Sequence, residues 1–595
     1  MTRLAALPLL TFALYAAPVR ADVSPEDIWR VLDAIPGVSA IASRKPDGLV
    51  LSNVTIAIPE TPKPENLVLS LDTLILTRSG DGAVEVTAAP DIRLTWIEAD
   101  QSRLSGTIAI PGARAFVSGS LEPGQLWIDS AFPTITPDLT ETGPGATDRA
   151  TITGTVTDLT AALARPSADD GLASMSLTIG SGDLSLKGTS ANEALDAVLR
   201  LAGFNATLRL SPGYLTDPPL MPAGRVVLSL ASDSFEVDAS SPDIREFSNL
   251  VLSLSGLSAR SAIDIGAEPA DKSFPGASMT GDLSMSAATF LFEPGQAAAQ
   301  DGTAGSLRAR QSDITLAGRI VVPPGMENAD LTPALTAGMA VDLRAGFGAG
   351  SSEADLPIPD FGNVATASTG TSASVTLSMS RSGFLFDVTQ MGTAVRATVP
   401  GQPEPFEGKL GEVVLRMAGP LVRSAAAQPF ELVLRLADAT ASDGVWALFD
   451  PQSTIPRDPA TVSLRLTGKG EVMGDLLAQD RAPDDVPFHP RRIDLTELIL
   501  SAGGARVAGS GALDFADRAT VPPPTGQVNM TWKGVYALLD KLTALGLVPQ
   551  DAGLGIRGGL GMIARPVGPD DLTTTFEFRD GGKVLANGAP LPGFD

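Results

Sequence analysis

The chain has 595 residues, no cysteine, a single histidine and a formal net charge of −25 at pH 7. An acidic excess of that size argues against a nucleic-acid partner, and the lack of cysteine excludes disulfides and thiolate metal sites. Charged residues make up 19% and aromatics 5%, whereas Gly (60) and Pro (47) are abundant, which is the composition of many short strands and turns with aliphatic faces. A single core stops growing at roughly 250–300 residues, so more than one is expected.

Residues 1–21 read as a signal peptide: Arg3 supplies a positive start, Leu4–Tyr15 an apolar stretch, and Val19-Arg20-Ala21 a cleavage site, with Asp22 as first mature residue. An uncleaved N-terminal anchor is the alternative. No later stretch approaches roughly 20 uninterrupted apolar residues. Ser24-Pro-Glu-Asp-Ile28 predicts a helix start, with serine as N-cap, proline in the first turn and two acids beside it. Ile28, Val31, Leu32 and Ile35 then share one face, and Pro36-Gly37 ends the helix, a cap for the first strands.

From Gly48 to about Arg260 apolar and small polar residues alternate, as in Leu67, Leu69, Leu71 and in Val226, Leu228, Leu230 and in Leu250, Leu252, Leu254, so each strand has one greasy face. Asn192–Leu201 fits a helix or a strand equally. Residues 267–305 and 346–370 are rich in Ala, Gly, Ser, Pro and Asp without periodicity and read as loops. The second is the expected domain boundary, which gives an N-terminal β-rich region with its leading helix (22–345), a linker (346–370) and a C-terminal β-rich region (371–595).

In the C-terminal region one five-residue pattern occurs three times: Val413-Val-Leu-Arg-Met417, Leu432-Val-Leu-Arg-Leu436 and Val462-Ser-Leu-Arg-Leu466. Apolar residues take the first, third and fifth places, and Arg416, Arg435 and Arg465 point the other way. Ser442–Pro451 reads as one or two helical turns inserted to cover the sheet. In Arg506–Phe515, Val507, Leu513 and Phe515 face one side, and Gly509 and Gly511 leave room for a close approach or a bend. A strand at Gly526–Trp532 precedes a helix over 534–545 with Gly546 as left-handed cap, and Thr573–Arg579 is a further strand.

Chemistry-bearing motifs are sparse. His489 stands in an expected loop beside Arg491 and Arg492, without partners for catalysis or metal binding, and no Gly-x-Ser-x-Gly elbow supplies a nucleophile. Gly553-Leu-Gly-Ile-Arg-Gly558 matches the dinucleotide pattern in letters but lacks a preceding strand, so a flexible loop is expected. Ser79-Gly-Asp-Gly82 and Ser181-Gly-Asp183 read as hairpin turns and not calcium loops. Trp96, Trp127, Trp446 and Trp532 read as core anchors. A non-enzymatic protein with neither cofactor nor metal is expected.

Two shapes suit such strands. Stacked β-sandwiches would seal the aliphatic rows against each other; an open, curved sheet would leave them free for acyl chains. The order of a glycine-bearing strand Val507–Phe515, the link Val521-Pro-Pro-Pro524, strand Gln527–Trp532, helix Tyr536–Leu545 and a tail ending Ala586-Asn-Gly-Ala-Pro-Leu591 resembles AsmA-like proteins of Gram-negative envelopes, and within that clan an uncharacterised periplasmic family. Trp446-Ala-Leu-Phe-Asp-Pro451 and Ile455-Pro-Arg-Asp-Pro459 are similar too, and the likeness is best over 412–594. The resemblance implies a mostly β protein, with long, twisted antiparallel sheets forming a taco-like apolar groove under a few covering helices, and a role in periplasmic lipid binding or transfer, with envelope proteins as possible partners. Because the apolar leader reads as cleavable, a soluble carrier or accessory factor is favoured over a membrane-spanning bridge. The lipid-contacting residues expected are Val413, Leu415, Met417, Leu432, Leu434, Leu436, Val462, Leu464, Leu466, Val507, Leu513 and Phe515. A structural envelope scaffold or adhesin without a lipid ligand is the alternative function.

Overall fold

The computed structural model describes residues 23–591 except 61–64, 81, 98–101, 121–124, 144–148, 169, 191–192, 217–222, 242–243, 245–246, 268, 270–272, 296–297, 300–303, 327–329, 359–360, 425, 475, 478–486 and 517–522. Residues 1–21, expected to be a signal peptide, thus lie outside the described residues. The chain is mostly β and antiparallel, and it divides into two compact units, Met1–Arg308 and Ala309–Asp595.

Unit 1 opens with α1 (Pro25–Asp33), started by a reciprocal capping box in which the Asp27 N–H donates to Ser24 Oγ and the Ser24 N–H donates to Asp27 Oδ2, both at 3.2 Å. There follow β1 (Val38–Lys45), β2 (Gly48–Glu60), β3 (Glu65–Arg78), β4 (Val84–Ala88), β5 (Asp91–Ile97), β6 (Arg103–Ala109), β7 (Arg114–Gly119) and β8 (Leu126–Thr142). The sheet forks at β3, which pairs with β4 along its C-terminal half and β5 along its N-terminal half. β4 continues to β7 and β5 to β6, and both branches rejoin on β8. A plain meander then runs through β9 (Arg149–Ala164), β10 (Ala173–Ser190), β11 (Glu193–Leu210), β12 (Gly224–Ser240), β13 (Asn249–Ile265) and β14 (Ala277–Glu293), with the short α2 (Gly213–Thr216) between β11 and β12.

Unit 2 repeats the fork. β15 (Ser306–Val322), most of which belongs here, pairs with β16 (Ala340–Phe347) and β17 (Gly350–Ile358), and α3 (Leu331–Ala337) joins β15 to β16. β16 continues to β19 (Ser372–Ser380) and β17 to β18 (Gly362–Gly370), and both rejoin on β20 (Gly383–Thr398). A meander follows through β21 (Phe406–Gly419), β22 (Gln428–Ala441), α4 (Asp443–Trp446), β23 (Ala460–Val472), β24 (Phe488–Ala502), β25 (Ala505–Asp514) and β26 (Thr525–Lys533). After α5 (Val535–Ala544) and α6 (Gln550–Ile563) come β27 (Arg565–Gly568), β28 (Asp571–Phe578), β29 (Val584–Ala586) and β30 (Ala589–Pro590); β28 returns to pair with β26, and β27 and β29 share its other edge.

Three expectations change and one open reading is resolved. Residues 346–370 are no linker: the hairpin β17–β18 occupies them, because their Ser, Thr and Ala side chains make strands held by backbone ladders without a hydrophobic period to announce them. Residues 277–293 of the expected 267–305 loop form β14, paired along its length with β13. Of Asn192–Leu201, the described residues 193–201 fall in β11, where pairing on both sides settles the ambiguity toward strand. Ser181-Gly-Asp183 lies inside β10 and is not a turn. Ser79–Gly82 does turn between β3 and β4, closed by the Ser79 N–H on the Ala83 carbonyl at 2.8 Å, with residue 81 outside the described set.

Several long strands change the phase of their apolar alternation midway. In β12 the apolar positions are even before Asp233 (Val226, Leu228, Leu230) and odd after it (Phe235, Val237, Ala239). The change coincides with a left-handed residue on one strand of each pair, such as Asp158 (φ +52°) on β9, Gly203 (φ +61°) on β11 and Asp438 (φ +56°) on β22. Its neighbour across the pair must accept the crowding. Gly411 lies beside Asp438, and a Cβ added there would stand 2.9 Å from the Asp438 Cβ.

Sealed hydrophobic cores sit at the start of unit 1. Val23, Ile28, Leu49, Leu51, Val54, Leu71, Leu76, Val84 and Val117 form one cluster, and Trp29 and Leu32 of α1 pack on it. Leu94, Ile108, Ile110, Ala113, Ile135 and Leu139 form a second inside the fork, with Trp96 against it. In unit 2 a loop is locked by a fully buried carboxylate: Asp450, after α4, accepts the N–H groups of Thr454 (2.9 Å) and Ile455 (2.8 Å). Burial works to raise the Asp450 pKa, but the Ile455 and Thr454 donors and the Lys541 charge outweigh it and hold the carboxyl below its ordinary value.

Two outcomes follow for stability. Leu51→Ala empties a fully buried site and is expected to cost about 2–5 kcal/mol in denaturant unfolding. A depressed carboxyl stabilises the fold above its unfolded-state value, 3.8, and that contribution disappears as pH falls through the lower folded-state value. The melting temperature of the wild type should therefore exceed that of Asp450→Asn at neutral pH, with the difference shrinking below pH 3.8.

Candidate functional site: an open apolar face in unit 2

Residues directly opposite each other in an antiparallel ladder share a face, so register alone assembles the site. One rank runs Phe386, Met417, Leu432, Leu466, Leu495, Gly511, Val528, Phe576 across β20 to β26 and β28. A second runs Val388, Leu415, Leu434, Leu464, Leu498, Gly509, Met530, Thr574, and a third Val413, Leu436, Val462, Leu500, Val507, Trp532, Leu572. A fourth takes in Phe430, Gly468, Ile493, Leu513, Gly526 and Phe578. At about 4.8 Å per strand spacing the face extends for roughly 34 Å.

Most of these side chains are only half-buried. Leu434 and Val462 are each 37% exposed and Leu500 42%, although they stand mid-sheet with apolar partners on both sides. Among the described residues, the clusters of fully buried hydrophobic side chains all lie in unit 1. The face is not featureless. At the end where β22 and β24 begin, Phe430 and Phe488 meet edge to face at 5.6 Å between centroids, with Phe430 lying over Gly468 and Phe488 over Gly470. At the opposite end Trp532 Nε1 donates to the buried Thr574 Oγ1 at 3.2 Å.

The reverse of the same strands is ionic. Arg416 donates to Asp387 (2.6 Å) and Glu431 (2.9 Å), and Arg435 to Glu412 (2.6 Å) with Glu497 at 3.9 Å. Hydrogen bonds to Asp387 and Glu431 push the Arg416 pKa up, and the bond to Glu412 does the same for Arg435. Val433, facing Arg416 and Arg465 across its two ladders, is nonetheless buried. The arginine stems cover their own side.

Of the twelve residues singled out in the sequence, all but Phe515 fall in this arrangement. Eleven occupy the four ranks, and Phe515, just past β25, is tied to β24 by its N–H on the Arg491 carbonyl at 3.0 Å. Sequence reading missed Leu498 and Leu500, because a bulge after Leu495 puts Thr496 and Glu497 into the strand and breaks the alternation. Phe386, Val388 and Met530 carried the period-two signal and could have been found. The bare positions at Gly509 and Gly511 are filled by neighbours: the Leu498 Cδ2 would lie 3.3 Å and the Met530 Cγ 3.5 Å from a Cβ at 509, and the β26 backbone crowds 511.

The chemistry-bearing motifs resolve differently from expectation in two places. His489 is in β24 and not in a loop; it is buried opposite Glu471, whose carboxylate pairs with Arg491 at 2.7 Å. Gly553–Gly558 is helical, part of α6, which lies against α5 with Gly553 beside Thr543 and with Leu560 buried. It follows a helix, so the strand that would aim a phosphate-binding turn is missing there. Among the described residues no three of His, Asp and Glu gather as a metal-binding group, and no helix is long and apolar enough to cross a membrane.

A search of curated proteins finds no match to the chain. Residues 351–592, which hold the whole apolar face, match the model of a family described as "uncharacterized protein conserved in bacteria (DUF2125)".

Proposed function

We propose that unit 2 binds hydrocarbon chains on the open apolar face of β20–β28, and that the protein is a non-enzymatic lipid-binding or lipid-transfer factor of the bacterial envelope. The observation that carries this reading is the half-exposure of Leu434, Val462 and Leu500 in the middle of ranks that are apolar on both sides. An ordinary core would bury them, and a solvated face would carry polar groups in their place. An acyl chain laid along the ranks gains on the order of 0.8 kcal/mol per CH₂ removed from water.

The reading draws further support from unit 1, where ladders β11 to β14 align Leu199, Val237, Leu252 and Phe290 in the same manner. The resemblance of 412–594 to AsmA-like proteins points the same way, and the leader-like residues 1–21 favour a periplasmic site of action. In this reading envelope proteins or membranes are the partners between which the lipid passes.

Leu434→Asp places a carboxylate at the centre of the face, where an acyl chain would have to desolvate it. The exported protein is expected to copurify with lipid, seen by mass spectrometry of an organic extract, and the variant to retain several-fold less while unfolding as cooperatively as the wild type. Protein that carries no lipid in either form, and instead copurifies with envelope protein, would support the scaffold function.

A further inference from the structure

At one end of the unit 2 sheet the connections are elaborate: β22 runs into α4 and the Asp450 loop, β24 turns into β25 at Gly503–Gly504, and β26 leads into α5 and α6. They form one layer, since Ile455 and Leu538 both crowd Gly503, and Gly553 of α6 abuts Thr543 of α5. At 100° per residue, Gly553 and Leu560 define the inner side of α6. Its outer side carries Leu554, 67% exposed, and Met562, 80% exposed, among Gly555, Gly558, Gly559 and Gly561, each facing open space. A surface helix ordinarily shows many polar residues there, whereas the only charged residues of α6 are Asp551 and Arg557. Three tips flank it on other segments: Leu448 after α4, 71% exposed, Leu547 between the helices, and Val567 after α6.

Four carboxylates of this end have internal partners, while Asp458 and Asp551 stand exposed. Asp540 holds Arg557 at 2.9 Å, Asp443 pairs with Arg457, Asp450 is enclosed in its loop, and Asp570 caps α5 by accepting the N–H groups of Tyr536 (3.0 Å) and Ala537 (2.9 Å). Arg557 lies over Tyr536 at 4.9 Å and Arg457 over Trp446 at 5.8 Å, amphipathic pairs of the kind that sit at headgroup depth.

We propose that this end of unit 2 docks on the surface of a lipid bilayer, with Leu448, Leu547, Leu554, Met562 and Val567 entering the acyl boundary. Single tips on separate segments suit a fluid layer, which accepts each one without a matching contour, better than a shaped protein pocket. The proposal stands independently of whether the open sheet face holds hydrocarbon.

Flotation of the exported chain, from Asp22 onward, with phosphatidylcholine vesicles tests it. The protein is expected to float with the vesicles, and the double variant Leu554→Asp with Met562→Asp to lose about tenfold or more of the bound fraction, with its melting temperature and copurifying lipid unchanged. Leu448→Asp, on a different segment, should weaken binding as well. A wild type that stays at the bottom of the gradient overturns the proposal, as does a double variant that floats like the wild type. A double variant whose effect is to dissociate an oligomer also overturns it, because the occupant of the face is then a second copy of the chain.

Discussion

The structure depends on cross-strand register that joins aliphatic residues to aliphatic residues over many consecutive ladders. Leu415 meets Leu434, Leu434 meets Leu464 and Leu464 meets Leu498, so one side of the unit 2 sheet is apolar without interruption along that line. The other side is held by Arg416 and Arg435 in short ion pairs. A slip of one residue in any ladder would put arginines among the leucines, so the same pattern that makes the face continuous also fixes the pairing. Extended side-by-side pairing supplies backbone hydrogen bonds on both edges of each strand, which lets unit 2 hold its form without disulfides or a large sealed interior.

The two units share a forked construction, a long strand dividing into two pairs of shorter strands that rejoin on another long strand: β3 to β8 in the first, β15 to β20 in the second. In unit 1 the fork encloses side chains such as Ile108 and Leu139 in a sealed cluster, and α1 closes the neighbouring one. In unit 2 two of the corresponding short strands, Gly350–Ile358 and Gly362–Gly370, are rich in Ala, Ser, Thr and Gly. One topology thus serves once as a core and once as a run of small-residue strands leading to an open face.

Much of this was legible in the residues. The Ser24 N-cap, the left-handed Gly546 after α5 and the alternation in Val413–Met417 and its two relatives each specify local structure by a mechanism that needs no distant partner. What escaped had a physical reason. Strands of small residues at 346–370 have no hydrophobic period and exist through their ladders, so they looked like a linker. The bulge at Thr496 and Glu497 hid Leu498 and Leu500 from the face they share with Leu464 and Val462. The glycine-rich α6 looked like a loop because each glycine costs about 1 kcal/mol of helix propensity, and contact with α5 at Gly553 together with burial of Leu560 overrides it. The fork itself was invisible, since strand pairing between β3 and both β4 and β5 leaves no mark in local periodicity.

The account rests on the apolar ranks of unit 2 being uncovered by the rest of the chain. Because there is no native cysteine, single thiols report this without background: Leu434→Cys and Val462→Cys on the open face, and Val433→Cys among the arginine stems of the reverse. In the folded protein stripped of bound lipid, the thiols at 434 and 462 should react with a small alkylating reagent nearly as fast as in the unfolded chain, and the thiol at 433 only on unfolding. Protection of 434 and 462 equal to that of 433 would mean that the protein seals its own face and would contradict the account.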